Sequence, residues 1–250
     1  MSSRGTADIV FCLDASTSME PCIDGVKKHI STFITSLEKE QQLEWDLRFE
    51  FLAHQAGDQK WGGTLFSASS VQHESIDEVM DSLYTDKPTG WFTTNLSLFQ
   101  DSLNRIKTIG DEASLVGLDI VLDLPWRNHE NCHRVVIFMS DEPLETGLMI
   151  KESEQMIDKL IKKIMDLKVS LFLVTPDSPG YESLSAADKC EWEVVAGGDG
   201  LVNIDFGKLL GAMAKSVSKS QLPLGESTPV SRALFEQDKW VSREGTLSGR

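Results

Sequence analysis

An apolar run that ends abruptly in oxygen-bearing side chains constrains the fold of this chain more than any other feature. Residues 9–13 read Ile-Val-Phe-Cys-Leu, which is typical of a strand buried on both faces of a sheet. Asp14, Ser16 and Ser18 follow at spacings of two, and a helical pattern begins a few residues later. In an open α/β sheet such side chains lie at the carboxyl edge of the strands, where ligands bind.

These three side chains offer one carboxylate and two hydroxyls. Hard oxygen donors of this kind suit Mg²⁺ or Mn²⁺ and not zinc, which prefers nitrogen and sulfur ligands. The two serines could instead cap the turn that follows the strand, because Ser is a favoured N-cap residue. The pattern therefore predicts a divalent-cation site, with helix capping as the alternative.

The charge of the chain limits its partners. The 250 residues carry a formal net charge of −15, whereas binding to nucleic acid or to an anionic membrane surface requires a basic patch. The acidity has two interpretations, since it keeps a protein soluble and it also selects for basic partners. We therefore expect neither nucleic acid nor a membrane among the partners.

The apolar segments and the cysteines indicate a compartment. No apolar run approaches the roughly 20 residues of a membrane helix, and core sequence begins near residue 7, where a signal peptide would otherwise stand. The four cysteines, Cys12, Cys22, Cys132 and Cys190, are scattered and form no C-x-x-C pair. That distribution is typical of thiols in a reducing compartment, so we expect a cytoplasmic protein.

Strand and helix patterns alternate along most of the chain. This alternation, with apolar central strands, predicts an α/β fold with a doubly wound, mostly parallel sheet and helices on both faces. A Gly-Gly turn at 62–63 leads into a short apolar run, which predicts one antiparallel edge strand. The predicted strands are 9–13, 45–52, 64–67, 134–140, 169–174 and 201–204, and the predicted helices are 24–39, 75–83, 96–107, 113–124, 156–164, 182–196 and 206–217.

The helical and strand patterns stop near residue 217. We therefore assign residues 1–217 to one domain and residues 218–250 to a C-terminal tail, in which Ser, Pro, Gly and Thr dominate up to Val230. The tail also contains Leu234, Phe235 and Trp240. These apolar residues either fold back on the domain or dock into a partner.

A second apolar strand, 134–140, ends in an acidic residue, Asp141. It repeats the pattern of the first strand, so the two acidic strand ends are expected at one edge of the sheet. Thr93 and Thr94, before one predicted helix, and Asp111, before the next, are candidates for a further ligand. Each of them is also a plausible N-cap residue, and Asp111 offers the stronger oxygen ligand.

The D-x-S-x-S pattern at 14–18 resembles the metal-ion-dependent adhesion site of von Willebrand factor type A (vWA) domains. One branch of that family is similar at Phe92-Thr-Thr-Asn95, Gly110-Asp-Glu112, Leu124-Pro-Trp-Arg127 and Phe138-Met-Ser-Asp-Glu-Pro143. The resemblance covers about residues 7–217. It implies a Mg²⁺ or Mn²⁺ site formed by Asp14, Ser16, Ser18, Asp111 and Asp141, with Asp111 at the middle position.

Asp111 departs from the threonine that is usual in the family. Its negative charge would make a bound metal less electrophilic toward an acidic partner. The resemblance implies an intracellular adaptor or scaffold in a signalling, stress or defence assembly, with no enzymatic activity, in which a Glu or Asp of a protein partner binds the metal.

Two other functions remain open for this cluster. One is a Mg²⁺-dependent hydrolase or phosphatase, because a metal with an open position can activate water. The chain contains neither Gly-x-x-x-x-Gly-Lys nor Gly-x-Ser-x-Gly, and His129 and His133 are expected to be solvated loop residues. The other is a metal-free scaffold.

Overall fold

A seven-stranded sheet forms the centre of the molecule. The computed structural model describes residues 4–41, 44–54, 65–67, 72–73, 91–108, 110, 114–144, 150–197 and 201–219. In this part of the chain the strand order is β4-β3-β2-β1-β5-β6-β7. The strands are β1 (Arg4–Asp14), β2 (Glu44–His54), β3 (Leu65–Ser67), β4 (Gln72–His73), β5 (His133–Met139), β6 (Val169–Pro176) and β7 (Cys190–Val195).

Most of this sheet is parallel. β1, β2, β5, β6 and β7 pair in parallel, while β3 is antiparallel to β2 and β4 is antiparallel to β3. The next strand in the chain, β2, lies on one side of β1, and β5 lies on the other side. In open α/β sheets ligands bind where the strand order reverses in this way, which here is at the carboxyl ends of β1 and β5. The predicted α/β fold with a mostly parallel sheet is confirmed.

Helices cover both faces of the sheet. One face packs against α1 (Glu20–Gln41), α2 (Leu96–Leu103) and α6 (Phe206–Lys219), and the other against α3 (Ser114–Leu122), α4 (Ile150–Leu167) and α5 (Pro179–Leu184). None of the described helices is both long enough and apolar enough to cross a lipid bilayer.

Strand β1 contributes to the core on both faces, and residues 9–13 are all 0% exposed. Ile9, Phe11 and Leu13 pack toward α1 and α6, whereas Val10 and Cys12 pack toward α3 and α4. Side chains alternate between the two faces of a strand. Asp14, two residues after Cys12, therefore projects on the side of α3 and α4.

Two predictions near the end of the chain are wrong. Residues 182–196 do not form one helix, because α5 ends at Leu184 and β7 follows. Lys189 has a φ of 58°, a left-handed conformation that interrupts any helix at that residue. Beyond it, the indole Nε1 of Trp192 donates to Thr175 Oγ1 on β6 over 2.9 Å, which anchors the edge strand. The strand predicted at 201–204 is a turn that begins with Leu201 at a φ of 60°.

Several sequence predictions concern residues outside the described part of the chain. They are the helix at 75–83, the Gly-Gly turn at 62–63, Asp111 and the tail from residue 220 onward. Helix α6 continues to Lys219, so the boundary predicted at residue 217 falls within its last turn.

Candidate functional site

Asp14 and Asp141 lie at the same edge of the sheet. β1 and β5 are parallel neighbours, and Leu13 pairs with Met139, so the two strands end at the same level. Asp14 follows Leu13, and Asp141 comes two residues after Met139. Both carboxylates are 0% exposed. The structure thus brings together the two acidic strand ends, which are more than a hundred residues apart in the chain.

The turn after β1 is held by its own backbone and by the Asp14 carboxylate. Asp14 Oδ1 accepts a hydrogen bond from the Ser16 amide over 2.7 Å. The Ala15 amide donates to the His54 carbonyl at the end of β2, also over 2.7 Å. Ser16 precedes a short 3₁₀ turn, but its side chain makes no capping hydrogen bond. The capping alternative is therefore wrong for Ser16, whose hydroxyl faces Ser18 instead.

A chain of hydroxyls connects the two strand ends. Ser16 Oγ and Ser18 Oγ are 3.2 Å apart, and Ser18 Oγ donates to Asp141 Oδ1 over 3.0 Å. Adjacent ligands of an octahedral Mg²⁺ with bonds near 2.1 Å are separated by about 3.0 Å. The spacing of the two serine oxygens therefore fits two neighbouring positions on such a cation.

Ser140 belongs to this cluster, although the sequence analysis did not select it. Its hydroxyl donates to Asp14 Oδ2 over 3.0 Å and lies 3.4 Å from the Glu142 amide nitrogen, which donates to it. Ser140 is 0% exposed, so this contact fixes one oxygen of Asp14 from the side of β5. Its position, between the buried strand and Asp141, was the available signal in the sequence.

The negative charge of the cluster affects the cysteines near it. Burial raises the pKa of Cys22 well above its usual value, and the charges of Asp14 and Asp141 raise it further. Burial and the charge of Asp14 likewise raise the pKa of Cys12 well above its usual value. Cys22 Sγ donates to Met139 Sδ over 3.5 Å. Both thiols are therefore held protonated below the cluster and are unsuited to act as metal ligands.

The donor set of the cluster is made of oxygens. Among the described residues, no group of three or more His, Cys, Asp or Glu side chains is arranged to hold a metal ion. Two carboxylates and three serine hydroxyls are present, and this oxygen set matches Mg²⁺ or Mn²⁺ and not a softer metal.

Thr93 and Thr94 lie away from the cluster. Thr93 exchanges two backbone hydrogen bonds of 2.8 Å with Phe49 of β2. Phe49 lies five residues before His54, the partner of Asp14 in the register, or about 16 Å along the strand. Thr94 is next to Thr93 and is exposed, so it does not reach Asp14. The N-cap of α2 is Asn95, whose side chain accepts from the Leu98 amide.

Arg127, the last residue of the Leu-Pro-Trp-Arg motif, also lies away from the cluster. It contacts Asp8, which is buried on β1 six residues before Asp14, or about 20 Å away. Arg127 donates to Asp8 through its amide over 2.8 Å and through Nε over 2.7 Å, and Arg48 donates to both carboxylate oxygens. Burial raises the pKa of Asp8, but the bonds from Arg48 and Arg127 outweigh it and lower the pKa overall.

Part of the polar face of β2 is covered by other side chains, since Glu50 is 0% exposed and Arg48 is half-buried. The Phe92 amide donates to the buried Glu50 carboxylate over 2.8 Å. The Arg48 guanidinium lies 4.5 Å from the centroid of the Phe92 ring, and Trp126 packs edge-on against the same ring. Phe92 adopts a φ of 60°, which these contacts maintain.

Gly197, after the end of β7, closely approaches the cluster. A Cβ atom at this position would lie 2.7 Å from the Asp141 carbonyl oxygen and 2.9 Å from Pro176 Cγ. Only glycine allows the two backbones to come this close without a shift. Gly197 therefore packs closely against the backbone of the Asp141 turn.

Comparisons with known proteins add little to this description. No family model matches the chain, and no curated protein matches it. Among solved structures, proximal thread matrix protein 1 from the mussel byssus is similar, with a TM-score of 0.48 and 11% sequence identity. The match covers 87% of this chain, which spans 49% of the length of that protein. Similarity at this level carries no inference about the site.

Proposed function

We propose that the protein contains a vWA-like domain that binds one divalent cation at the carboxyl edge of its sheet. The cation then captures an acidic side chain of a protein partner. The proposal depends above all on the hydrogen-bonded cluster of Asp14, Ser16, Ser18 and Asp141, in which two distant segments meet in one group of oxygens.

The chemistry of each side chain gives it a role in this site. The Ser16 and Ser18 hydroxyls bind the cation directly, while the Asp14 and Asp141 carboxylates accept hydrogen bonds from its waters and balance its charge. Asp111 completes the protein ligands. Mg²⁺ or Mn²⁺ supplies an electrostatic anchor, since its remaining coordination position accepts a carboxylate from outside.

Two features bear on a protein partner that supplies Glu or Asp. Ser18 is only half-buried and Thr17 is exposed, so the rim of the cluster is accessible. The chain has a net charge of −15, which repels an acidic partner at long range. A bound divalent cation offsets two of the three negative charges of Asp14, Asp111 and Asp141 and offers a coordination position to a carboxylate, so capture depends on the metal.

A cytoplasmic setting in a signalling, stress or defence assembly is consistent with the cysteines. All four are thiols, and Cys12, Cys22 and Cys132 are buried. A reducing compartment preserves such thiols without a requirement for disulfides.

Affinity capture with the full-length protein tests the proposal. The wild type would be compared with Ser16→Ala and Asp14→Ala, each in Mg²⁺ and in EDTA. Asp158→Ala is the matched control, because Asp158 is an exposed carboxylate on α4. We expect a partner that the wild type and Asp158→Ala retain in Mg²⁺ and release in EDTA. Neither Ser16→Ala nor Asp14→Ala should retain it.

A captured partner would then be changed at its acidic residues one at a time. Loss of binding with one Glu→Gln or Asp→Asn change would identify the residue that reaches the cation. A partner that stays bound in EDTA, or that binds Ser16→Ala as tightly as the wild type, would contradict metal-dependent capture.

A further inference from the structure

His54 is a buried polar residue whose ring has no hydrogen-bond partner in the described part of the chain. Its side chain is 0% exposed, and both Nδ1 and Nε2 lack a partner. Buried polar groups are nearly always hydrogen-bonded, and an unmet one costs about 1–3 kcal/mol. An apolar ring would fill this position at lower cost. The presence of an imidazole here therefore indicates a polar contact that the described residues do not supply.

The position of His54 indicates where that contact lies. His54 is the last residue of β2 and pairs with Asp14 in the register of the sheet. Its ring stacks on Phe138 of β5, with centroids 6.3 Å apart and planes at 20°. β1 lies between β2 and β5, so the ring extends over β1, on the face toward which Asp14 projects.

Helix α3 holds the ring in that place. A Cβ atom on Gly117 would lie 2.3 Å from His54 Cδ2 and 3.0 Å from Nε2. The helix thus approaches the ring closely only because residue 117 is glycine. Phe138 and Gly117 enclose the ring, which therefore has little freedom to turn.

The ring is also suited to a place beside a cation. Burial lowers the pKa of His54 to about 4, so the imidazole is neutral at physiological pH. A neutral imidazole offers one N–H donor and one acceptor and adds no positive charge that would repel the metal.

We propose that His54 is a positioning residue of the cation site and hydrogen-bonds, in the cation-loaded protein, to the Asp14 carboxylate or to a water that this carboxylate holds. The inference rests on the function proposed above and extends it. Groups that orient metal-bound oxygens in this way typically change metal affinity by about 10- to 100-fold.

Replacement of His54 by an apolar ring of similar size tests this role. We expect His54→Phe to be at least as stable as the wild type in EDTA, because two unpaired nitrogens are removed. Its affinity for Mg²⁺ and Mn²⁺, measured by calorimetry, should be about tenfold weaker. His54→Gln, which keeps a donor and an acceptor, should recover part of the affinity, whereas a purely structural role would give no such recovery.

A second measurement does not depend on the folding of His54→Phe. The imidazole ¹⁵N signals of His54 in the wild type, assigned by comparison with His54→Gln, should shift when Mg²⁺ saturates the protein. Wild-type affinity in His54→Phe, or unchanged His54 signals in the Mg²⁺-loaded wild type, would overturn the inference alone. A wild-type protein that binds no cation would instead overturn the proposed function, and the inference with it.

Discussion

Ser18 is one of two serines that connect the two halves of the cluster, and Ser140 is the other. Its hydroxyl lies 3.2 Å from Ser16 Oγ and donates to Asp141 Oδ1 over 3.0 Å. The first contact stays within the turn after β1, and the second crosses to the end of β5. A side chain that makes both contacts should matter far more for the cation than for the fold.

We predict that Ser18→Ala weakens Mg²⁺ affinity by at least about tenfold, because it removes one ligand and the link to Asp141. The free energy of unfolding in EDTA should fall by only about 1 kcal/mol, the value of one hydrogen bond. Calorimetry and urea unfolding measure the two effects. Thr17→Ala, which removes an exposed hydroxyl next in the chain, is the control and should match the wild type. Equal affinities in the two variants would exclude Ser18 as a ligand.

Burial of two histidines should make stability dependent on pH. Burial lowers the pKa of His54 and, with the charge of Lys189, that of His133, each to about 4 from 6.5. Between pH 6.5 and about 4 the unfolded chain therefore binds protons that the folded protein does not. We predict that the free energy of unfolding is highest above pH 6.5 and decreases as the pH falls through this range.

Urea unfolding between pH 7.5 and 4.5 measures this dependence. His54→Phe should reduce it, and His129→Gln, at an exposed position in a turn, should leave it unchanged. A free energy of unfolding that stays constant from pH 6.5 to 4.5 would be incompatible with two neutral buried imidazoles.

The sequence predicted that His129 and His133 are both solvated loop residues. This prediction is correct for His129, which is exposed in a turn, and wrong for His133, which begins β5.

The residues of the cluster were predictable to different degrees. Asp14, Ser16, Ser18 and Asp141 follow from one rule, because buried parallel strands end at the same edge of a sheet. Ser140 was missed because a serine before an acidic residue has no distinctive spacing. His54 was missed because nothing in the sequence shows that its ring lacks a hydrogen-bond partner among the described residues.

At the scale of elements, the Leu-Pro-Trp-Arg motif stabilises the sheet and lies far from the cluster. Arg127 reaches the buried Asp8 and the backbone of two strands, through the carbonyls of Ala7 and Asp46. Arg134 in turn donates to the Arg127 carbonyl over 2.8 Å. The loop before β5 is thereby fixed to the amino ends of β1 and β2.

We predict that Arg127→Ala lowers the free energy of unfolding by about 3 kcal/mol, because Asp8 remains buried with one of its two ion-pair partners removed. Mg²⁺ affinity of the folded protein should not change, since Asp8 is about 20 Å from Asp14. Urea unfolding and calorimetry test both statements, with Lys162→Ala, at an exposed position on α4, as the control. Weaker Mg²⁺ binding without loss of stability would refute a purely structural role.

The loop after β7 should influence the cluster. We predict that Gly197→Ala weakens Mg²⁺ binding, because the new Cβ would lie 2.7 Å from the Asp141 carbonyl oxygen and would displace that turn. Gly211→Ala is a matched control, since no atom lies within 4 Å of its Cβ position. Identical calorimetric titrations for the two variants would mean that the Asp141 turn accommodates the methyl group without a shift.

The elements show where sequence patterns fail. Short runs such as 190–195 fit a helix or a strand, and tertiary contacts decide between them. The Trp192 indole donates a hydrogen bond to Thr175 on β6, and the left-handed backbone conformation of Lys189 separates β7 from α5. Neither feature could be read from hydrophobic spacing, which explains why the helix predicted at 182–196 is wrong.

At the scale of the whole molecule, the strand order places the proposed site. The strand order reverses at β1, and every described residue of the oxygen cluster lies at the carboxyl ends of β1 and β5. The fold class was predictable because residues 9–13 and 135–139 are apolar throughout, as is typical of strands covered by helices on both faces. Cation binding cannot be deduced from the fold, because one fold serves many functions.

Calorimetric titration of the full-length protein with Mg²⁺ and with Mn²⁺ tests the central claim most directly. We predict that the wild type binds one cation per chain. Asp14→Asn removes one buried charge, should still unfold cooperatively, and should bind no cation. A wild-type protein that gives no binding heat with either cation, or an Asp14→Asn variant that binds as tightly as the wild type, would contradict a cation site between β1 and β5.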